Sequence, residues 1–334
     1  MHRIATCASF GASGSGIVTD YLLEFNGIYN PGETEFRFIQ DYGGITTLED
    51  CLVHSRHRLN SDTAIRQFKQ YIDYQSGDFI SKRYGAVFGK RFKEISYQFI
   101  DEITDIMWDG HWEEDQVYAS KIVDILYYKI YPRINKLLHM SNKYIGRYYP
   151  TRPMYFSSPS DEEFIAAVNR YLNALFDVVD PDNVFQYLYF DQLLPPYNNK
   201  RYFKYFDDLH LIVVDRDPRD YYIENVIRWG DTYLPHDIDK FIEYYKLLRE
   251  SVDIENDHSN VLRLRMEDTI YHYDDFKTKV NDFLSLDMSD HVRPLENFNP
   301  EVSIMNTQLW NKYKVDSKII EKLENELSEY CYLF

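Results

Sequence analysis

The sequence predicts an α/β fold, a parallel sheet flanked by helices and expanded by a large helical insertion, in one domain spanning residues 1–334. Three observations predict it. A short apolar and β-branched run, RIATCASF at 3–10, stops at a glycine- and serine-rich loop, after which Val18, Tyr21, Leu22 and Phe25 recur at helical spacing. The most strongly β-like run in the chain, LHLIVVD at 209–215, comes late and again leads into helix. Between them, residues 46–145 read as almost continuous helix, broken near Asn60, Ser76-Gly77 and Gly110. Strand–helix alternation at both ends with a helical middle is the pattern of one parallel-sheet domain whose connections have been lengthened.

The remaining elements follow in order. FRFIQ at 36–40 is the second strand expected, ending at Asp41-Tyr42-Gly43-Gly44. The 46–145 span is long for a crossover and reads as an inserted subdomain or lid. VFQYLYF at 184–190 is a strand candidate ahead of the Pro195-Pro196 turn. NVLRLR at 260–265 is another, followed by helical periodicity at Phe276, Val280, Phe283 and Leu284. Residues 316–330 form an amphipathic charged helix. The chain carries no internal repeat and no low-complexity linker.

Composition narrows the function classes. Against 37 Lys and Arg stand 54 Asp and Glu, a formal charge of −17, so a broad positive field for nucleic acid or an anionic membrane is absent. An anionic ligand would have to be held by local basic groups and helix N-termini against that sign. The three cysteines, Cys7, Cys51 and Cys331, have no metal-like spacing, which argues for a reducing compartment and against a disulfide scaffold or a zinc site. No run approaches the ~20 apolar residues of a membrane span, and the N-terminus reads as a strand and not as a signal peptide. The expectation is a cytoplasmic protein without stable membrane insertion. The 31 tyrosines could line a sugar or base site, but half-buried tyrosines on amphipathic helices explain them more simply.

The first chemical signal is Gly11-Ala12-Ser13-Gly14-Ser15-Gly16, leading into Ile17. A glycine-rich turn from strand into helix aims several backbone N–H groups at one point, where the helix dipole adds roughly half a positive charge. That suits a phosphate or a sulfate. The ATP/GTP loop G-x-x-x-x-G-K-[ST] has the same glycine spacing, but Ile17 and Val18 stand where it needs lysine and a metal-binding hydroxyl. The order Gly11, Gly14, Gly16 does not fit a dinucleotide fingerprint either. A P-loop NTPase-like sheet is therefore expected, with a conventional kinase or ATPase disfavoured. The second signal follows the strand at 209–215. Arg216-Asp217-Pro218-Arg219-Asp220 opens a helix, with Pro218 suited to its first turn. Arg216 lies at the C-terminal end of a parallel strand, where open α/β sheets bind ligands, and guanidinium is a fork for phosphate oxygens.

Taken together these segments resemble the sulfotransferases that use 3′-phosphoadenosine 5′-phosphosulfate. The resemblance rests on the N-terminal strand, Gly/Ser loop and helix, and on R-D-P-R-D after a late strand. It also includes Asn260–Thr269 (NVLRLRMEDT) ahead of a helix ending at Phe283-Leu284, and Ser303, Asn306 and Trp310 within 298–313. It covers residues 1–30 and 184–334. It implies that Gly11–Gly16 and Ile17 cradle the 5′-phosphosulfate of this donor and that Arg216, with Arg219 beside it, grips the 3′-phosphate, with no metal required. Two departures stand out. Glu224 replaces a serine eight residues after the arginine, and Ala12 stands where many members carry Lys or Arg.

Sulfuryl transfer needs a base for the acceptor proton and positive charge on the leaving phosphate. Base candidates are Asp41, beyond the expected second strand, and His54 and His57 in CLVHSRHRLN, where His54 and Arg58 share a helix face. Arg56, Arg58 or the basic run Ser81–Lys93 could supply the missing cation. The acceptor expected is a small molecule or saccharide, and no nucleic acid. Two rivals stand beside this reading: a nucleotide-dependent kinase with a degenerate loop, and a binding protein that kept the fold without the chemistry.

Overall fold

A computed structural model describes residues 2–32, 34–77, 80–116, 119–138, 149–230, 233–252 and 257–334. Among the described residues seven strands form two sheets: β1 (Ile4–Ser9), β2 (Ile28–Tyr29), β3 (Ile106–Gly110), β4 (Arg152–Phe156), β5 (Tyr187–Tyr189), β6 (Leu209–Asp215) and β7 (Val261–Arg265). The main sheet has the order β2-β5-β1-β6-β7 and every pairing in it is parallel. β1 is central, with Ile4 to Ser9 in register against Leu209 to Val214 of β6. All six of its residues are buried, as expected for a strand covered on both faces.

Side chains alternate across that strand. Ile4 and Ala8 join Leu211 and Val213 in a core shared with Phe68, Phe92, Phe99 and Phe164. Ala5 and Cys7 face the other way, toward Val18 and Tyr21 of helix α1 (Ser15–Leu22) and toward Phe276 and Val280. The helices at 58–75 and 91–103 therefore belong to the core of the sheet, packed with the 161–179 helix. That last helix starts at a reciprocal cap, in which Ser160 and Glu163 each accept from the other's amide. A third cluster around Tyr221, Phe241, Tyr245, Leu309 and Leu323 seals the C-terminal helices.

Several tyrosines explain themselves here. Tyr21, Tyr189, Tyr205 and Tyr221 are fully buried, and their hydroxyls bond Asn281, Thr19, Glu49 and the Phe10 carbonyl respectively. They are core residues with a polar tip that finds a partner.

Two expectations need correcting. FRFIQ is not a strand: Phe36, Phe38 and Ile39 are buried, but Gln40 and Asp41 donate their amides back to the Arg37 carbonyl in a turn. An apolar run can be buried without pairing; here Glu35 forms an isolated bridge with Asp191, whose carbonyl accepts from the Phe36 amide (2.7 Å), and the aromatic rings pack into the core. The helical middle also contains a strand. β3 pairs antiparallel with β4, which lies beyond the insertion, and four of its five residues are exposed, so no burial pattern announced it.

Candidate functional site

The glycine loop is held by the sheet. The Phe10 amide donates to Ser13 Oγ (2.9 Å), and that hydroxyl donates to the Val214 carbonyl of β6 (3.1 Å). Ser13 is thus a fully buried anchor and not a ligand donor. Gly11 (φ 84°), Ala12 (φ 48°) and Gly14 (φ 107°) all adopt the left-handed region, which folds the loop back on itself. Gly14 caps α1 without any side-chain hydrogen bond, so the helix start at the loop is capped by backbone alone, the Ile17 amide donating to the Gly14 carbonyl (3.1 Å). A Cβ on Gly14 would lie 3.0 Å from Met266 Cγ. Gly14→Ala should lower stability by roughly 1–3 kcal/mol, the cost of a strained backbone, with further crowding against Met266. Urea unfolding monitored by circular dichroism would check this; an unchanged midpoint would contradict the loop geometry.

Ala12, Gly14, Ser15 and Gly16 line a cleft of about 570 Å³ whose other walls include Arg216, Glu224, Trp229 and Asn306. The cleft lies beyond the C-terminal ends of β1, β5 and β6, at the point where the connections from β1 diverge to either side. Arg216 is almost fully buried. Its Nη1 donates to the Ala12 carbonyl (3.2 Å) and its Nη2 to the Asn306 carbonyl (2.5 Å), while its Nε has no hydrogen-bond partner among the described residues. Glu224 approaches the same guanidinium to 3.5 Å. This carboxylate is not a bare repulsive charge, because Arg228 (3.1 Å) and the Trp229 indole N–H (2.5 Å) also donate to it. Arg228 further donates to the Asn306 side chain (2.9 Å), which makes it a second cation at the cleft rim. Its position four residues after Glu224 was visible in the sequence, but only the fold sets it beside Asn306.

Acidic groups occupy the opposite wall: Asp20, Glu35 and Asp191. Asp191 follows β5 and is nearly buried. Burial, and then the nearby Glu35 carboxylate, push its pKa up to about 7, against hydrogen bonds from Tyr189, the Gln192 amide and Ser15 that favour the charged form. Gln192 ties the same corner together by donating to Ser9 Oγ (2.9 Å) and Ser15 Oγ (3.1 Å). Asp191 is thus a carboxyl poised near neutrality within reach of the glycine loop, and the sequence reading passed over it. The available signal was its place immediately after the strand candidate at 184–190, the ligand-binding end of a parallel sheet.

The other sequence candidates lie elsewhere. Arg219 does not face the cleft: it pairs with Asp217 (2.6 Å) and Glu324 (2.7 Å), stacks 4.1 Å over Trp310, and donates to the Tyr332 carbonyl. Asp220 accepts from the amides of Gln308 (2.9 Å) and Leu309 (2.6 Å), fixing the loop that carries Asn306. Of the two arginines in R-D-P-R-D only Arg216 therefore reaches the cleft, and its neighbours brace it. Ile17 packs into the core beside Val18. Asp41 accepts from Arg37 (2.9 Å) and Tyr71 (3.3 Å). His57 caps the 58–75 helix by accepting from the Leu59 amide, Arg58 lies 4.7 Å over Trp112, and His54 is exposed at a helix end. None of these four lines the glycine-loop cleft. The turn at 37–41 carries Asp41 away from the sheet edge where a strand would have delivered it. His54 lies close to Glu49 and Asp50, but Glu49 is already bonded by Arg201, Lys204 and Tyr205.

Lys82, Lys90 and Lys93 of the basic run line a separate pocket with Tyr97, and Lys93 pairs with Asp73 (2.7 Å). This run does not replace the missing loop lysine.

The fold and cleft define a class: a parallel α/β protein, its sheet flanked by helices, with a glycine-loop cleft at the C-terminal ends of its central strands. No family model and no curated protein matches the chain. Among solved structures it is similar to a sulfotransferase domain from the Synechococcus PCC 7002 olefin synthase, at 12% identity over 97% of this chain and 87% of that one, with a TM-score of 0.40. It is also similar to a sulfotransferase domain from the curacin biosynthetic pathway, at 10% identity over 100% and 99%, TM-score 0.42. A third, sulfotransferase STF9 from Mycobacterium avium, shows 10% identity over 98% and 76%, TM-score 0.38. All three bear the family name that the motifs suggested.

Proposed function

We propose that the cleft binds 3′-phosphoadenosine 5′-phosphosulfate and that the protein transfers its sulfuryl group to a hydroxyl on a glycan, glycolipid or small-molecule acceptor. One observation carries the reading: the glycine loop at the N-terminus of α1, which no side chain caps, and the buried Arg216, whose Nε has no hydrogen-bond partner among the described residues, line one cleft. An anion is the ligand that satisfies both. The donor supplies an activated sulfuryl group. Gly14, Ser15 and Gly16 would hold its phosphosulfate end, and Arg216 with Arg228 would face its remaining negative charge. Asp191 would take the proton from the acceptor hydroxyl as the new O–S bond forms and the phosphate–sulfate bond breaks. Its raised pKa matches that task near neutral pH.

A second reading has its own support. Asp20, Glu35, Asp191 and Glu224 outnumber the cations of the cleft, and Ala12 supplies no charge to the leaving group. A binding protein on the same fold, without turnover, fits that balance. The kinase reading is weaker, because Ile17 and Val18, where lysine and the metal-binding hydroxyl would stand, are packed in the core.

Calorimetric titration with 3′-phosphoadenosine 5′-phosphate tests the proposal, with saturable binding expected at micromolar ligand. No heat at millimolar ligand would reject it, and binding without sulfate transfer to any hydroxyl acceptor would favour the second reading.

A further inference from the structure

Residues 121–138 form one continuous helical rod. Lys121–Val123 is α-helical, Asp124–Ile130 is a wider π-helical stretch, and Tyr131–Leu138 is α-helical again. Ser120 caps it by accepting from the Val123 amide. None of its residues is buried. The partly covered ones are Asp124, Tyr128, Pro132 and Asn135, spaced by four, four and three, so they mark a single stripe turned toward the body of the protein. Tyr128 holds that side, its ring 5.7 Å from His111, which stacks on Tyr149.

The apolar side chains point the other way. Ile122, Leu126, Ile130, Ile134, Leu137 and Leu138 are between 41% and 74% exposed. A surface helix ordinarily turns its apolar stripe inward. This one presents it to the outside, and a contiguous apolar face of that size marks an interaction surface. Charge says what kind. Lys129 pairs with Asp124 (2.7 Å), and Lys121, Arg133 and Lys136 stand beside that pair, a balance of 4 − 1 = +3 within a chain of −17.

We propose that this helix docks the protein peripherally on an anionic lipid surface, its apolar face among the acyl chains and its lysines and arginine at the headgroups. An outward apolar face bordered by basic residues is the arrangement that lies in a membrane interface. The 18 residues carry too many charges to span a bilayer, and no helix among the described residues is long and apolar enough to do so. A second copy of this chain is a poorer occupant. A two-fold contact brings the same patch against itself, here +3 against +3. The acidity of the whole chain does not prevent docking. Screening limits the reach of charge to about 8 Å at physiological salt, so the helix nearest the lipid counts for more than the body behind it.

The test is co-sedimentation of the full chain with vesicles of phosphatidylcholine alone and of phosphatidylcholine with phosphatidylserine. Partitioning onto the anionic vesicles should be roughly tenfold stronger or more, and should weaken as salt rises. The double variant Leu126→Glu, Ile130→Glu should abolish it. Lys129→Glu with Lys136→Glu, which turns the helix charge from +3 to −1, should reduce it roughly a hundredfold or more. All four positions are exposed, so the variants should melt with the parent protein, and a circular dichroism melt on each confirms that the fold is retained. Absence of vesicle binding would overturn the proposal, as would binding that survives Leu126→Glu, Ile130→Glu. A dimer or a complex with an acidic protein that this same double variant dissolves, without any lipid binding, would assign the face to a protein partner instead.

Discussion

Replacing Arg216 with alanine should weaken 3′-phosphoadenosine 5′-phosphate binding by about 1.5–3 kcal/mol, the range for hydrogen bonds to a charged group, or roughly ten- to hundredfold in Kd. The expectation comes from burial and placement. The guanidinium reaches the glycine loop through the Ala12 carbonyl and the 304–311 loop through Asn306, so it sits between the two segments that would have to close on a ligand. The substitution also leaves Glu224 with one cation fewer, so some stability will be lost as well. Arg216→Lys separates the effects. It retains charge beside Glu224 but cannot reproduce the fork, so binding should recover only in part while the melting temperature largely returns. Glu224→Gln should act in the opposite direction, because it removes the carboxylate that competes for Arg216, and binding should tighten severalfold. Calorimetry on the four proteins reads all of this. Equal affinity in the parent and in Arg216→Ala would remove Arg216 from the site and, with it, the main support for the proposed function.

The second large effect concerns Asp191. Asp191→Asn should lower the turnover rate by roughly a hundredfold or more, the usual contribution of a positioned general base, without weakening nucleotide binding. The pH dependence gives a sharper criterion. With a pKa near 7, the parent's rate should rise through neutrality as the base ionises, and the variant's should not. Nucleotide binding should run the other way, weakening as Asp191 gains its charge near the loop, and this dependence should also vanish in Asp191→Asn. Stability follows the same group. Its folded pKa lies above the ~3.9 of an unfolded chain, so ionisation is disfavoured in the folded state. That contribution is absent below about pH 4, grows between pH 4 and 7, and reaches at most roughly 4 kcal/mol of destabilisation above it. Asp191→Asn should therefore flatten the decline of the melting temperature over that interval. A parent rate that is flat from pH 6 to 8 would reject Asp191 as the base.

Much of this molecule was legible before any coordinates. β1 and β6 coincide with the apolar runs at 3–10 and 209–215, because strands buried on both faces are written as near-continuous β-branched and aliphatic residues, while the half-buried β7 is written as the Leu/Arg alternation within 260–265. The glycine loop and Arg216 were legible for a related reason. Their roles depend on local backbone freedom and on position at a strand end, and both are properties of sequence. The strand pair β3–β4 was not, because β3 is largely exposed and its partner lies some forty residues further along the chain.

The remaining decisions belong to tertiary structure. Arg216 and Arg219 are equivalent in sequence, yet one enters the cleft and the other is bound by Asp217, Glu324 and Trp310, elements brought together only by folding. Asp41 is drawn off the sheet edge by a turn, while Asp191, unremarkable in the chain, gains a shifted pKa from burial and from Glu35 across a bridge of more than 150 positions. The sequence alone determined β1, β5, β6 and β7, the glycine loop and Arg216 at a strand end, since short-range chemistry encodes them. Which carboxyl can act as a base, which arginine faces a ligand and which helix turns its apolar side outward depend on long-range burial and charge pairing, and these exist only once the chain has folded.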